Sequence, residues 1–418
     1  MRAHTLSPQA SARVAALFLA VAWVGACATD NGDPLFGTAF GPPGADGGAA
    51  TDGSVPPVTD AASAQDGSTP PDAGDDAATP CTSSVAVIAG GAASLSGAAW
   101  TKAGGWSGQA LAGGAASSVP AIAPFGTGFL ALTRGAADAL QSVSLDGAWS
   151  PVAAVGAATT RGGPALAVAG ASASGVYQGA DFKMYDARRS GAQWSPTEGP
   201  IGTPQSFGPT APAAAAAGAE VVMAFVGDAG GGTPPVYTHV FAGGAWGPAT
   251  AVAGSAAYTG ASPALASVPS GAVDLVLVYI DDATRRLTFS ARASAGKAWS
   301  APAPVHTLAT SDEGVSVAAL SATSLVVTFR GQDDRPYVSR GTVAGTGVTW
   351  TAATPLVADA SVKVASHPGV ARGVCGDDAI AVVAAGGAVR ATRLRGGAWT
   401  ALEAVTGAAG THAAIATR

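Results

Sequence analysis

The sequence is poor in the residues from which most catalytic and metal sites are built. It has three cysteines and five histidines in 418 residues, and only 11% of its residues are charged. His239, His306, His367 and His412 occur singly, without the close pairs typical of zinc sites. A Gly-x-Ser-x-Gly elbow and a phosphate-binding glycine loop are both missing. We therefore expect no catalytic residue, no metal and no cofactor.

Clusters of basic residues are missing as well. The chain has a net charge of −6, to which residues 28–80 contribute −9 through nine aspartates and residues 1–27 contribute +2. Residues 81–418 are consequently close to +1. A nearly neutral domain without Lys/Arg clusters has no field that would attract nucleic acid, so we expect no nucleic-acid partner.

The first 26 residues have the pattern of an export signal. Arg2 and Arg13 precede an apolar run over residues 14–24, which is too short to span a bilayer. The run ends Val24-Gly25-Ala26-Cys27, which resembles the lipobox of bacterial lipoproteins. That resemblance implies lipidation of Cys27 and a membrane anchor, with the outer membrane as the expected location because Ala28 replaces a retention aspartate. The alternative is an ordinary signal peptide cleaved after Ala26 or Ala28.

Residues 27–80 are predicted to be a lipidated cysteine followed by a disordered tether. The segment is rich in Asp, Ala, Gly, Pro, Ser and Thr, and it has no Lys or Arg. Such a composition cannot bury enough apolar surface to offset the entropy of ordering. The two cysteines beyond it, Cys81 and Cys375, form an even pair in an exported chain, which favours a disulfide; two unpaired thiols are the alternative.

Seven tryptophans divide residues 81–418 into repeats. Their spacings are 43, 45, 52, 53, 51 and 49 residues. A period near 40–50 with β-rich content is typical of a β-propeller with one four-stranded blade per repeat. The repeat tryptophans, which we expect to be largely buried between blades, are Trp106, Trp149, Trp194, Trp246, Trp299, Trp350 and Trp399.

Each repeat also contains an alanine-rich strand and a strongly apolar strand. The alanine-rich strands begin near residues 120, 164, 212, 263, 315 and 368 and suit the crowded centre of a propeller. The N-terminal repeat lacks such a strand, and residues 411–418 read as one with nothing after it. We therefore predict an all-β fold with seven blades, in which both termini build the last blade and so cover its edges.

The glycine three residues before most repeat tryptophans carries a family resemblance. Gly-x-x-Trp at Gly191, Gly243, Gly296, Gly347 and Gly396 resembles the end of the Asp-box of sialidase-like propellers, although its Ser and Asp are missing. The rhythm of the repeat also looks like that of bacterial seven-bladed lectins. These resemblances imply the fold. The catalytic residues of sialidases cannot be carried over, because the domain has only Glu198, Glu220, Glu313 and Glu403 and lacks the family's arginine signature.

A recurrence of basic and aromatic residues near the third strands gives the candidate ligand-binding set. Arginine with an aromatic ring is a combination suited to sugars, whereas the alternative is an arginine that pairs with a neighbouring aspartate. The candidates are Arg188, His239, Arg292, Arg340, Arg393, Tyr185, Tyr237 and Tyr337. Asp138, Asp181, Asp228, Asp282 and Asp334 recur before these strands, where turn formation is the favoured interpretation and ligand binding the alternative.

Three hypotheses for function follow from these patterns. The leading one is a monomeric, membrane-anchored propeller without catalytic activity that binds a glycan or a protein. The second is a divergent sialidase-like glycoside hydrolase, which would need an arginine cluster, a carboxylate and a tyrosine at the central channel. The third is a structural subunit of an envelope complex, which exposed apolar patches would favour.

Overall fold

The fold is a ring of seven antiparallel β-sheets. The computed structural model describes residues 81–418 except residues 198, 229 and 270. These residues form one compact unit whose only helical element among those described is the 3-10 turn Ala136–Asp138. The prediction of an all-β, seven-bladed propeller is confirmed.

The strands are short, and each lies within one of the repeats. In chain order they are β1 (Val85–Gly91), β2 (Ser94–Thr101), β3 (Gly105–Ala110), β4 (Ala121–Phe125), β5 (Gly128–Arg134), β6 (Ala139–Asp146), β7 (Ala148–Trp149), β8 (Ala153–Thr159), β9 (Ala165–Ala169), β10 (Ser172–Gln178), β11 (Met184–Ser190), β12 (Gln193–Pro196), β13 (Ala213–Ala217), β14 (Glu220–Val226), β15 (Val236–Ala242) and β16 (Ala245–Trp246). They continue with β17 (Thr250–Ala251), β18 (Ala264–Ser267), β19 (Val273–Ile280), β20 (Leu287–Ala293), β21 (Ala303–Pro304), β22 (Val315–Ala319), β23 (Ser324–Arg330), β24 (Pro336–Ala344), β25 (Gly347–Trp350), β26 (Thr354–Pro355), β27 (Gly369–Arg372), β28 (Ala379–Ala385), β29 (Ala388–Arg395), β30 (Ala398–Trp399), β31 (Glu403–Ala409) and β32 (His412–Thr417).

Each blade is a meander whose strands run outward from the central channel. Blade 1 is β4–β8, blade 2 is β9–β12, blade 3 is β13–β17, blade 4 is β18–β21, blade 5 is β22–β26, blade 6 is β27–β31, and blade 7 is β1–β3 with β32. The innermost strands β4, β9, β13, β18, β22, β27 and β32 touch one another in that order, and β32 touches β4. The ring is therefore closed.

The sequence explains which strand lies innermost and which lies second. Five innermost strands begin directly after Pro120, Pro164, Pro212, Pro263 or Pro368, where the missing N–H costs no ladder bond. Their alanines allow seven strands to crowd around one axis. The second strands are buried along nearly their whole length, as β14 and β28 illustrate, because neighbouring blades cover both of their faces.

Both termini build blade 7, as predicted. Strand β32 is the innermost strand and pairs with β1 from Val85↔Thr417 to Gly90↔His412. Strands β2 and β3 complete the blade towards the outside. Ala413, Ile415 and Ala416 of the closing strand are buried. Closure therefore covers the edge of β1 with both hydrogen bonds and apolar contacts.

The repeat tryptophans lie between blades, but all seven are half-buried rather than largely buried. Each lies just after the hairpin that follows a third strand and packs against the preceding blade. Trp299, for example, contacts Val222 and Ala224 of blade 3 from blade 4. The Trp246 indole donates a hydrogen bond to Asp186 Oδ2 of blade 2 at 2.8 Å. The outer end of a blade is open to solvent, which leaves part of each indole exposed.

The backbone conformation explains why glycine lies three residues before most of these tryptophans. Gly191, Gly243, Gly296 and Gly396 have φ between 53° and 72°, in the left-handed region. They occupy the hairpin that joins the third strand to the outer strand, where a residue with a Cβ would be strained. The motif thus marks a turn at the outside of the blade.

Cys81 and Cys375 are joined by a disulfide with a Cα–Cα distance of 5.6 Å. Cys81 precedes β1 of blade 7, and Cys375 lies between β27 and β28 of blade 6. The bond links two neighbouring blades that are separated by 294 residues in the sequence.

Candidate functional site

A cleft of about 730 Å³, called the tyrosine cleft below, opens between blades 1 and 2. One wall is the outer strand β8 of blade 1, which contributes residues 156–159. The other wall belongs to blade 2 and contains Tyr177, Asp181, Tyr185 and Thr197. Aromatic rings therefore line this cleft together with a carboxylate and hydroxyl groups, a combination common in sites for small polar ligands.

Two stacked tyrosines form the blade 2 side of the cleft. The rings of Tyr177 and Tyr185 have centroids 5.8 Å apart and are inclined by 20°. Tyr177 is only 4% exposed, and its burial, together with the nearby Asp186, raises its pKa to about 12. Among the described residues we find no hydrogen-bond partner for the Tyr177 hydroxyl, although it borders the cleft. The raised pKa keeps the hydroxyl neutral at pH 7.

Asp181 fixes the second tyrosine. The Tyr185 hydroxyl donates to Asp181 Oδ2 at 3.1 Å, while Asp181 Oδ1 accepts the backbone N–H of Lys183 at 3.2 Å. Burial and this hydrogen bond raise the pKa of Tyr185, so it too is neutral at pH 7. Gly179 makes room for the ring, since a Cβ there would lie 2.5 Å from Tyr185 Cε2.

The expected turn role of the repeated aspartates holds for part of the set. Asp181 and Asp228 accept backbone N–H groups two residues further along the chain. In blades 4 and 5 the preceding residues, Asp281 and Asp333, make the equivalent bonds instead of Asp282 and Asp334. Asp334 has φ 65° and occupies the left-handed position of its turn. Asp181 therefore combines turn formation with a place in the cleft.

The same local arrangement recurs in blade 5, and Tyr337 is half-buried like Tyr185. Tyr337 bonds Asp333 at 3.0 Å, and Gly331 makes room for its ring. There the additional strand β26 pairs alongside, with Tyr337 opposite Pro355, and β17 pairs with Tyr237 of blade 3 in the same way. In blade 2 the outer strand β12 pairs with residues 187–190 and stops short of Tyr185. Beyond β12 the backbone N–H groups of Thr197 and Ile201 donate to Asp186 and Met184, so the chain continues beside Tyr185 without a residue paired opposite it.

The basic candidates do not all occupy one structural position, which corrects the sequence hypothesis. Arg188, Arg340 and Arg393 each directly precede the residue that pairs with the repeat tryptophan, and they face the next blade. Arg292 pairs with Trp299 itself and therefore faces the preceding blade. His239 also faces the preceding blade, because it lies two residues from Phe241, the partner of Trp246. A shift of one residue along a strand reverses the face.

Three of the basic candidates are buried and already paired. Arg292, which is 1% exposed, binds both oxygens of Asp274 at 2.8–2.9 Å and Glu220 at 3.1 Å. Arg393 binds Asp377 and Glu403 and lies over the Trp100 ring. These contacts agree with the ion-pair alternative, in which the arginines join blades.

His239 is the third buried candidate. Its Nδ1 lies 2.8 Å from the Gly247 carbonyl, and its ring stacks on Phe225. Burial lowers the pKa of His239, so the ring is neutral at pH 7. Its exposure of 1% excludes it from direct contact with a ligand.

Arg188 and Arg340 are partly exposed. Both guanidinium groups reach the tryptophan turn of the next blade, where Nη1 lies 3.4 Å from the carbonyl of Gly244 or Gly397. Arg188 also bonds Asp186 at 2.9 Å and stacks on Phe241 at 3.6 Å. Tyr185 and Arg188 of the same strand face opposite sides of the sheet. They therefore cannot form one site.

The central channel does not hold the groups that a sialidase-like hydrolase would need. Its mouth encloses about 430 Å³, and the charged side chains that line it are Arg134 and Glu313, with His367 and His412 beside them. Arg134 pairs with Asp138 at 2.6 Å. No tyrosine lines the mouth among the described residues. The arginine cluster and tyrosine that would favour the hydrolase are thus missing from the described part of the channel.

Over residues 81–418, apart from the three positions left out, no group of three or more His, Cys, Asp or Glu is arranged to hold a metal ion. In the same residues no helix has the length and apolar character needed to cross a membrane. The signal, Cys27 and the tether lie outside the described residues.

Comparison with solved structures shows lectin propellers among the similar folds. The chain resembles the lectin BP39L from Burkholderia pseudomallei with a TM-score of 0.64 and 14% identity, over 77% of this chain and 95% of that one. A triple arginine-to-alanine mutant of AofleA from Arthrobotrys oligospora gives a TM-score of 0.50 and 14% identity, over 72% and 89% of the two chains. No protein-family model and no curated protein matches the sequence. At these identities the likeness establishes the propeller fold alone.

Proposed function

We propose that this protein is a glycan-binding propeller without catalytic activity and that it binds a saccharide in the cleft between blades 1 and 2. The observation that carries the proposal is the open cleft between blades 1 and 2, which is lined by the stacked rings of Tyr177 and Tyr185 together with the Asp181 carboxylate. The fold shared with a bacterial lectin supports it.

The chemistry of the cleft suits a neutral sugar. Saccharides combine apolar C–H faces with hydroxyls that both donate and accept hydrogen bonds. The Tyr185 ring offers an aromatic face, Asp181 accepts from sugar hydroxyls, and the Tyr177 hydroxyl both donates and accepts. Thr159 and Thr197 add hydroxyls on the two walls. The volume of about 730 Å³ is sufficient for one or two sugar rings.

A glycan array followed by calorimetry tests this proposal. The protein used is residues 27–418 with Cys27→Ser, called the soluble chain below. We expect at least one neutral glycan to bind and Tyr185→Ala to weaken that binding on the order of tenfold or more, because the stacking face and a hydroxyl are both lost. Tyr185→Phe should weaken it less, since the ring remains.

Tyr337→Ala is the matched control. Tyr337 makes the same contact with an aspartate in blade 5, where Pro355 of β26 is paired opposite it. Thermal melts of both variants show whether loss of packing is equal in the two blades. Glycan binding that survives Tyr185→Ala, or that Tyr337→Ala abolishes equally, would place the site elsewhere. Hydrolysis of glycosides by the soluble chain would favour the hydrolase hypothesis instead.

The subunit hypothesis finds less support than glycan binding. In the described part of the chain two large apolar side chains are exposed, Phe207 at 41% and Leu308 at 78%. They lie in different connections, after blade 2 and after blade 4. Isolated apolar residues of this kind are normal on protein surfaces and do not require a partner.

We further propose that the protein is exported and anchored by lipid at Cys27, with the tether holding the propeller away from the outer membrane. The lipobox-like phrase at residues 24–27 supports this location. Labelling of cells with an alkyne fatty acid should modify the wild-type chain but not Cys27→Ser, and the variant should leave the membrane fraction. A Cys27→Ser protein that still requires detergent for extraction would contradict the anchor.

A further inference from the structure

A second cleft, of about 320 Å³, lies on the other side of blade 2, between that blade and blade 3. We call it the arginine cleft. Arg188 lies within it, with its guanidinium flat against the Phe241 ring at 3.6 Å. Asp186 Oδ2 holds the Nε side of that guanidinium at 2.9 Å. This leaves the Nη groups directed along the cleft with a single long contact, to the Gly244 carbonyl at 3.4 Å.

Four serines surround Arg188 on the same face of the sheet. The register places Ser174 and Ser195 directly opposite Arg188 on the strands to either side. Ser172 and Ser190 pair with each other one step further along, and side chains two residues apart share a face. None of the four hydroxyls makes a hydrogen bond within the described residues. All four border the arginine cleft.

The arginine cleft has no acidic residue among its lining residues. Asp186 is fully buried behind Arg188, and Trp246 donates to the same carboxylate oxygen at 2.8 Å. The carboxylate is thus directed away from the open end. A guanidinium with hydroxyl donors around it is a suitable group for binding an oxyanion, because its paired N–H groups match two oxygens of a carboxylate or sulfate.

The opposite wall is apolar. Ala219, Val221 and Phe241 of blade 3 face the serines across the cleft. A bare anion would leave this wall without a partner, whereas a sugar ring that carries an acidic group would cover it. The two walls together therefore fit one molecule with an anionic end and an apolar face.

We infer that the arginine cleft binds an acidic saccharide, with the carboxylate or sulfate ester on Arg188 and the surrounding serines. This inference extends the proposed glycan binding to a second site and a charged class of sugar. Both acidic groups present the same chemistry to the guanidinium, so the experiment must separate them.

Calorimetry of the soluble chain with four sugars and one salt tests the inference. The acidic ligands are methyl glucuronoside and galactose 6-sulfate, their neutral parents are methyl glucoside and galactose, and the salt is sodium sulfate. We expect at least one acidic sugar to bind on the order of tenfold more tightly than its parent, and more weakly as sodium chloride rises. Equal binding of acidic and neutral sugars would overturn the inference, as would sulfate binding as tightly as the sulfated sugar.

Variants locate the binding. Arg188→Gln should abolish the preference for acidic sugars, but it removes the partner of buried Asp186 and can destabilise blade 2. The double change Ser190→Ala with Ser195→Ala removes two exposed hydroxyls and should lower affinity severalfold without loss of stability. Arg340→Gln is the control, since Arg340 makes the equivalent contact with Gly397 of the next blade but does not line the arginine cleft. An unchanged affinity for the acidic sugar in the serine double variant would overturn the inference.

Tyr185→Ala separates this inference from the proposed function. Acidic sugars that still bind after Tyr185→Ala, when no neutral glycan binds the wild type, would leave the arginine cleft supported and the tyrosine cleft refuted. Acidic binding that is lost with Tyr185→Ala but kept in the serine double variant would overturn the inference and assign the ligand to the tyrosine cleft.

Discussion

Deletion of residues 411–418 should open the ring. The deletion removes β32, which pairs with six residues of β1 and is the innermost strand of blade 7. A net contribution of about 1 kcal/mol per backbone hydrogen bond gives about 6 kcal/mol for such a ladder. The buried side chain of Ile415 contributes a further 2 kcal/mol or so. The loss of about 8 kcal/mol is comparable to the whole stability of a typical domain.

The expected result is a chain that unfolds at a much lower temperature and aggregates through the uncovered edge of β1. Calorimetric melts and size-exclusion chromatography of the soluble chain with and without the deletion measure both effects. Ile415→Val, which should cost about 1 kcal/mol, separates loss of side-chain packing from loss of the strand. A shortened chain that remains monodisperse with an unchanged melting temperature would refute the closure by β32.

Three further predictions concern the interfaces between blades and the channel. Trp299→Ala should lower the free energy of unfolding by about 2–3 kcal/mol, which is less than for a fully buried tryptophan. If urea unfolding shows a change under about 1 kcal/mol, the contacts of Trp299 with blade 3 do not stabilise the fold. Cys375→Ser should lower the free energy of unfolding by up to about 5 kcal/mol, because the disulfide closes a loop of nearly 300 residues; identical melts of wild type with and without reductant would argue against this. Burial and the nearby His412 lower the pKa of His367 to about 4. Between pH 6.5 and 4 the histidine is therefore protonated in the unfolded chain but neutral in the folded one. The free energy of unfolding should consequently fall by about 2–3 kcal/mol as the pH drops from 6.5 towards 4. His367→Asn should flatten that decline, and an equally steep decline in the variant would assign it to other groups.

The sequence predicted the ring and its closure because the relevant signals are local. Five innermost strands begin after a proline. The innermost strands are rich in alanine because seven of them must fit around one axis. The first repeat lacks an innermost strand, and residues 411–418 form an innermost strand without a blade. Pairing the two completes the seventh blade. The disulfide partners follow from the same closure, since Cys81 and Cys375 precede strands in adjacent blades.

Which face of a sheet a side chain occupies could not be read from the tryptophan spacing. The hairpins between the third strand and the tryptophan differ in length, so Arg292 and His239 lie 7 residues before their tryptophans whereas Arg188 and Arg393 lie 6 before theirs. Arg292 therefore pairs with Trp299 itself and does not precede the residue that pairs with Trp299. His239 likewise faces blade 2 and not blade 4. A one-residue error of register is invisible in composition but reverses the side of the sheet.

No residue of β12 pairs with Tyr185, and the sequence pattern does not show where this pairing ends. Gly-x-Asp-x-x-x-Tyr occurs at residues 179–185 and again at 331–337, and this repeat could have drawn attention to Tyr185. Only the pairing shows that β26 lies beside Tyr337 whereas β12 ends before Tyr185. Tyr177 lies opposite Tyr185 on the neighbouring strand but outside the repeated motif, and it could not have been selected without that information.

A crystal structure of the soluble chain with the strongest neutral glycan from the array tests the central claim most directly. We predict a sugar ring against Tyr185, with one hydroxyl within hydrogen-bonding distance of Tyr177 Oη and another near Asp181. Density for the sugar at the mouth of the central channel, with the cleft between blades 1 and 2 empty, would contradict the claim.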